Sequence, residues 1–169
     1  MGLTLSERGS LIVPVPHDRL PIPTELTVEG ERLVRKAEHH MTVLGYAVGK
    51  KIRQAQKARP DLAPAIQALI DGASFDFRMT DRLVHLTQPT LRTVVVLVEA
   101  PGIEAFFGAM AELLDVGGTP PPHITLYTSD PEGKAGIGLN TVADLKAALE
   151  RDEPNPLRAR PLPPGLLAL

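Results

Sequence analysis

The chain has 169 residues, 43% of them hydrophobic and 22% charged, with a formal net charge of −2 at pH 7. That balance belongs to a globular chain with room for a core, and it offers no basic field for capturing long duplex DNA. Cysteine and Trp are absent and aromatics make up 4%, which excludes disulfides, thiolate metal sites, cysteine nucleophiles and long rows of stacking rings. The longest purely apolar run, Val94–Val98, is far too short to span a membrane. With Glu7 and Arg8 ahead of any apolar stretch, no secretory signal is expected. Met1-Gly2 with Ser6 matches a myristoylation pattern, but no second anchoring signal lies nearby. A cytoplasmic chain, consistent with the lack of cysteine, is the expectation.

Residues 1–24 carry prolines at 14, 16, 21 and 23, so Leu11–Val15 reads as an edge strand, where proline is tolerated. Glu31–Lys36 suggests a further strand, although Leu33 and Val34 break its alternation. Residues 39–45 read as strand. Gly45 and Gly49 bracket Tyr46-Ala47-Val48, and the good helix formers from Lys50 to Lys57 predict a helix ending before Pro60. Asp61 reads as the N-cap of a second helix carrying Leu62, Ile66, Leu69 and Ile70 on one face and stopping at Gly72.

Three strands are then predicted: Phe75–Met79, Leu83–Thr87 after a turn at Thr80-Asp81, and the β-branched central run Leu91–Val98. Ile103, Phe106, Phe107, Met110, Leu113 and Leu114 define an amphipathic helix that Gly117-Gly118 ends. Prolines 120–122 lead stiffly into a strand, a loop covers Ser129–Asn140, and Thr141 with Asp144 opens a last helix like a capping box. Residues 1–152 are expected to form one domain, and 153–169 a proline-rich tail that is draped or disordered. Strands that follow one another as hairpins argue for an α+β fold with antiparallel sheets.

One phrase occurs twice: His40-Met41-Thr42-Val43 and His123-Ile124-Thr125-Leu126. Side chains two apart on a strand share a face. His40 and Thr42 would therefore stand together, as would His123, Thr125 and Tyr127, with Met41, Val43, Ile124 and Leu126 turned to the core. Two of the chain's 5 histidines sit in this phrase; the plainer reading is a pair of unconnected strand histidines. The recurrence suggests two lobes facing one cleft.

Paired histidines suit a displacement in which one proton leaves as another arrives, since imidazole can act as base or acid near pH 7. A hydroxyl beside each imidazole can bond a non-bridging phosphoryl oxygen, so two His/Thr sets suit a phosphodiester better than a flat carbonyl. No metal or cofactor enters this scheme. A metal site would need a third ligand, and no ligand spacing such as His-x-x-x-His occurs.

The paired phrases resemble the signature of the two-histidine (2H) phosphoesterase superfamily, which includes RNA ligase-like proteins and cyclic nucleotide phosphodiesterases. The resemblance implies a bilobal α+β fold of antiparallel sheets with flanking helices, one H-x-T motif on an inner strand of each lobe. It implies metal-independent cleavage of a 2′,3′-cyclic phosphate or related phosphodiester of an RNA end or small nucleotide, with reversible RNA ligase activity as a further expectation. His40 and His123 would be catalytic, and Thr42 and Thr125 would bind phosphate. The expected partner is that substrate, with no membrane and no long duplex DNA, and the chain is expected to be a monomer. A non-catalytic nucleotide or RNA-end binding module on the same fold is the alternative.

Tyr127, Lys134 and Tyr46 are the further candidate substrate contacts. Lys134 lies in a glycine-rich loop, but Ala135 follows it where a P-loop needs Ser or Thr, so no ATP-binding loop is expected. His39 should face away from His40, His85 reads as a sheet residue, and His17 as surface loop.

Overall fold

Runs of β-branched and aliphatic residues form the frame. The computed structural model describes residues 2–169 and contains eight strands and four α-helices: β1 Leu11–Val15, β2 Glu25–Val28, β3 Glu31–Arg35, β4 His39–Leu44, α1 Tyr46–Ala58, α2 Leu62–Gly72, β5 Arg78–Thr87, β6 Arg92–Glu99, α3 Pro101–Ala111, β7 His123–Thr128, α4 Val142–Leu149 and β8 Arg158–Pro161. All pairings are antiparallel, in the order β1-β4-β7-β6-β5-β8. The β2–β3 hairpin joins the same sheet through β3, which pairs with the C-terminal end of β7. The fold is therefore α+β, an antiparallel eight-stranded sheet flanked by four helices.

The core follows from alternation. Met41, Val43, Ile124, Leu126 and the β6 residues Val94, Val96 and Val98 meet Ile52 of α1, Ile66 and Ile70 of α2, and Ile103, Phe106 and Met110 of α3. Each such buried side chain contributes about 1.5–3 kcal/mol by leaving water. A second cluster joins Val84, Leu86 and Val95 to Ile137, Leu139, Leu145 and Ala148, so α4 and its preceding loop cover part of the sheet's other face.

Several elements differ from expectation, each for a local reason. Helix α1 begins at Tyr46 rather than Lys50 and takes Gly49 inside it. A Cβ at Gly49 would lie 2.7 Å from the backbone of Arg8 and Gly9, so the glycine lets the N-terminal loop touch the helix. Asp61 has helical φ and ψ and makes no cap hydrogen bond. The two strands expected between Phe75 and Thr87 are one, β5, starting only at Arg78; the turn signal at Thr80-Asp81 is an irregularity where four residues of β5 span two of β6. Thr80 Oγ1 satisfies the strand there by donating to the Leu97 carbonyl. Phe75 instead packs edge-on against Phe106.

β2 was not anticipated. Its turn to β3 places both Glu29 (φ 51°) and Gly30 (φ 80°) in the left-handed region, and Glu-Gly lacks the Asn-Gly or Asp-Gly signal for such a turn. The tail is not merely draped: Arg158–Pro161 pairs with β5 as an edge strand and buries Leu157 and Ala159 in the second cluster. Thr141 does cap α4, its hydroxyl accepting from Asp144 N at 3.0 Å.

Candidate functional site

The two histidine phrases lie on adjacent strands. β4 and β7 pair at Met41 and Ile124, both fully buried. Counting outward from that antiparallel pair puts His40 across from Thr125 and Thr42 across from His123. All four point away from the core face that Met41 and Ile124 occupy. Directly opposed side chains of this kind have Cβ atoms about 4.5–5.5 Å apart, and the diagonal reaches about 7–8 Å. The two histidines occupy one diagonal and the two threonines the other. The motif strands are thus neighbours in one sheet, joined at a single pair.

These four residues line one cleft of about 520 Å³. Tyr46, at the start of α1 and 64% exposed, and Lys134 also line it. Tyr127 does not join them. Between Val94 and Val95 the β6–β7 register slips, so Thr125 pairs with Val95 and Tyr127 with Val94, leaving Leu126 as an extra residue. The bulge turns the Tyr127 ring into the core, fully buried, where its hydroxyl donates to Pro23 O at 2.8 Å. Burial pushes its pKa up to about 12, with Arg35 opposing.

The electrostatics favour neutral imidazoles. Burial pushes the His40 pKa down, the Lys36 ammonium adds to this, and Glu38 opposes it. Burial also lowers His123, against the Pro121 carbonyl, and a proton on His40 disfavours one on His123. His123 Nδ1 lies 2.7 Å from Pro121 O. A carbonyl only accepts, so Nδ1 carries the hydrogen and Nε2 is left as the basic nitrogen. The stiff Pro120–Pro122 segment thereby fixes both ring orientation and tautomer.

The sequence reading missed Lys36. It is 8% exposed, lines the cleft, and donates through Nζ to the Lys134 carbonyl and, at 3.4 Å, to Ala135 O. A signal existed: Lys36, Glu38, His40 and Thr42 alternate along the chain, and all four line the cleft. The loop wall is built by Asp130, whose carboxylate accepts from the backbone N–H of Glu132, Lys134 and Ala135; these bonds hold its pKa down. Gly136, Ile137 and Asn140 continue that wall.

The remaining histidines lie elsewhere. His39 is buried on the opposite face of β4, its Nε2 3.4 Å from Leu126 O and its ring edge-on to His17. His85 is buried on β5, with Nδ1 3.7 Å from a Glu29 carboxylate oxygen. A larger recess of about 700 Å³ lies between the N-terminal ends of α3 and α4 but contains no histidine or lysine. Among the described residues no three His, Asp or Glu side chains gather closely enough to hold a metal ion, and no helix is long and apolar enough to cross a membrane. Compared with protein-family models, curated proteins and solved structures, the chain matched none.

Proposed function

We propose that the chain is a metal-independent phosphodiesterase of the two-histidine kind, acting on a 2′,3′-cyclic phosphate or related phosphodiester of an RNA end or small nucleotide. The observation that carries this reading is the four-residue face built around Met41 and Ile124, with histidines on one diagonal and threonines on the other. A phosphoryl group seated at its centre meets an imidazole on each side and a hydroxyl on each side.

In the reaction one neutral imidazole takes a proton from water as the water oxygen bonds phosphorus. The other, as imidazolium, protonates the departing ribose oxygen as its P–O bond breaks. Thr42 and Thr125 donate to the non-bridging oxygens and hold the group in line. The site has near two-fold symmetry, so the same geometry serves the reverse, ligating direction with the roles exchanged. Positioned acid–base help of this kind is worth about 10²–10⁴ in rate. The narrow β4–β7 junction also supports a bilobal description, with β1 and β4 on one side and β7, β6, β5 and β8 on the other.

The test is hydrolysis of a panel of nucleoside 2′,3′-cyclic phosphates and short RNAs with cyclic ends, in EDTA. Turnover by the parent that both His40→Ala and His123→Ala abolish is the expected result. Turnover that EDTA removes would refute the mechanism. Binding of these ligands without turnover would identify a non-catalytic nucleotide-binding module instead.

A further inference from the structure

A lysine lining the cleft lacks a counter-ion. Lys36 follows β3, which pairs with β7 through Arg35 and Tyr127, and its backbone N–H bonds Leu126 O at 2.9 Å. β4 resumes the pairing at Ile124 in a different register, and Lys36 lines the cleft together with His40 and Thr125. Its ammonium carries three N–H groups. Two point to the carbonyls of Lys134 and Ala135, which leaves one. Among the described residues it makes no ion pair. Of the acidic groups that act on it, Asp130 has the larger effect but has its carboxylate occupied by three backbone N–H groups, and Glu38 has the smaller.

Burying a charge without a counter-ion is costly, and desolvation accordingly pushes the Lys36 pKa down. A bound anion offsets that cost. Beyond the single proton that the histidine pair shares, the face offers only neutral groups to an anionic diester, so the cation and the phosphoryl group supply what each other lacks. We propose that Lys36 is the anion-binding residue of the cleft, its remaining N–H bonding a non-bridging oxygen of the phosphoryl group held between Thr42 and Thr125. This inference rests on the phosphodiesterase reading. It makes the site asymmetric, because the cation acts on His40 and not on His123.

Two substitutions separate charge from anchoring. Lys36→Gln keeps amide donors for the two loop carbonyls and removes the charge; Lys36→Arg keeps the charge. The probes are adenosine 2′-phosphate in calorimetric titrations and adenosine 2′,3′-cyclic phosphate in turnover. Lys36→Gln is expected to weaken adenosine 2′-phosphate binding about 10- to 100-fold, the worth of a hydrogen bond to a charged group. It should also move the pH–rate profile to higher pH, because His40, which Lys36, Glu38 and His123 face, loses a neighbouring cation. Lys36→Arg should restore most of the affinity. On the parent protein, the ε-carbon signal of Lys36 should shift as adenosine 2′-phosphate is added, a readout that does not depend on any variant folding. Parent-like binding by Lys36→Gln, equal losses in the Gln and Arg variants, or an unmoved Lys36 signal in a parent that binds the nucleotide would overturn the proposal while leaving the phosphodiesterase reading intact. A parent that neither binds nor turns over these probes or any other member of the cyclic-phosphate panel would overturn both.

Discussion

Gly49 gives a test in which helix propensity and tertiary packing predict opposite signs. In an exposed helix interior, Gly→Ala stabilises by about 0.8–1 kcal/mol. At Gly49 the new Cβ would meet Arg8 O and Gly9 C at 2.7 Å and Gly9 O at 2.9 Å, all backbone atoms that no rotamer change can move aside. Gly9 is in turn held at φ +82°, and a Cβ there would lie 2.4 Å from Gly49 O, so neither partner can yield by itself. Overpacking of this kind costs about 1–3 kcal/mol and offsets the propensity gain. Gly108, on the exposed side of α3, is the control: a Cβ there meets nothing within 4 Å. Urea denaturation should therefore find Gly108→Ala more stable than the parent by about 1 kcal/mol. Gly49→Ala should be less stable by up to about 2 kcal/mol, a fall of several degrees in melting temperature. A Gly49→Ala protein as stable as Gly108→Ala would show that the N-terminal loop does not rest on α1, and would remove the stated reason for the helix beginning at Tyr46.

Tyr46→Ala should weaken nucleotide binding by about 1–3 kcal/mol if a base stacks on the exposed ring, whereas Tyr127→Phe should leave kcat unchanged and lower the unfolding midpoint through loss of the bond to Pro23; equal effects on binding would contradict the bulge at Leu126. Acid should destabilise the fold. His39, His40, His85 and His123 all have native pKa values lowered chiefly by burial, so between those values and the ordinary 6.5 the unfolded chain binds more protons and stability rises with pH. Urea midpoints should fall from pH 7.5 to 5.5, each histidine adding a slope of at most about 1.4 kcal/mol per pH unit; a flat profile would contradict the burial of these rings. Truncation after Asp152 removes β8, unpairs the edge of β5 and takes Leu157 and Ala159 from the second cluster, so the product should lose cooperative unfolding or aggregate, and a truncated chain as stable as the parent would mean the tail is dispensable.

What could be read from the chain was what short-range physics determines. The body of α3 follows from its apolar period, although Leu113 and Leu114 fall past its end at Ala111; α4 follows from its Thr141 cap, β1 from proline tolerance at an edge, and the common face of His40 and Thr42 from strand alternation. What could not be read depended on contacts distant in sequence. Gly49 looks like a helix breaker until Gly9 is placed against it. Thr80-Asp81 looks like a turn until β6 continues past it. Tyr127 looks like a member of the His123 row until the β6 register slips at Leu126. Lys36 lay within reach of the alternation argument, since it stands four residues before His40, but the break between β3 and β4 hid its place in the cleft. β8 is a four-residue run whose inward apolar side chains are Ala159 and, just before the strand, Leu157, too little pattern to announce a strand without its partner β5.

The pH dependence of kcat/KM for a nucleoside 2′,3′-cyclic phosphate tests the two-histidine account most directly. The active form carries one proton over the pair, so the rate should fall on both sides of a maximum, with apparent pKa values that belong to the pair rather than to either residue. Burial lowers both imidazoles, which puts that maximum on the acid side of the ordinary histidine value of about 6.5. A bell of this shape, lost in His40→Ala and His123→Ala, is the predicted result. A rate that rises to a plateau through a single ionisation, or that does not respond to pH across this range, would contradict proton exchange between the two histidines.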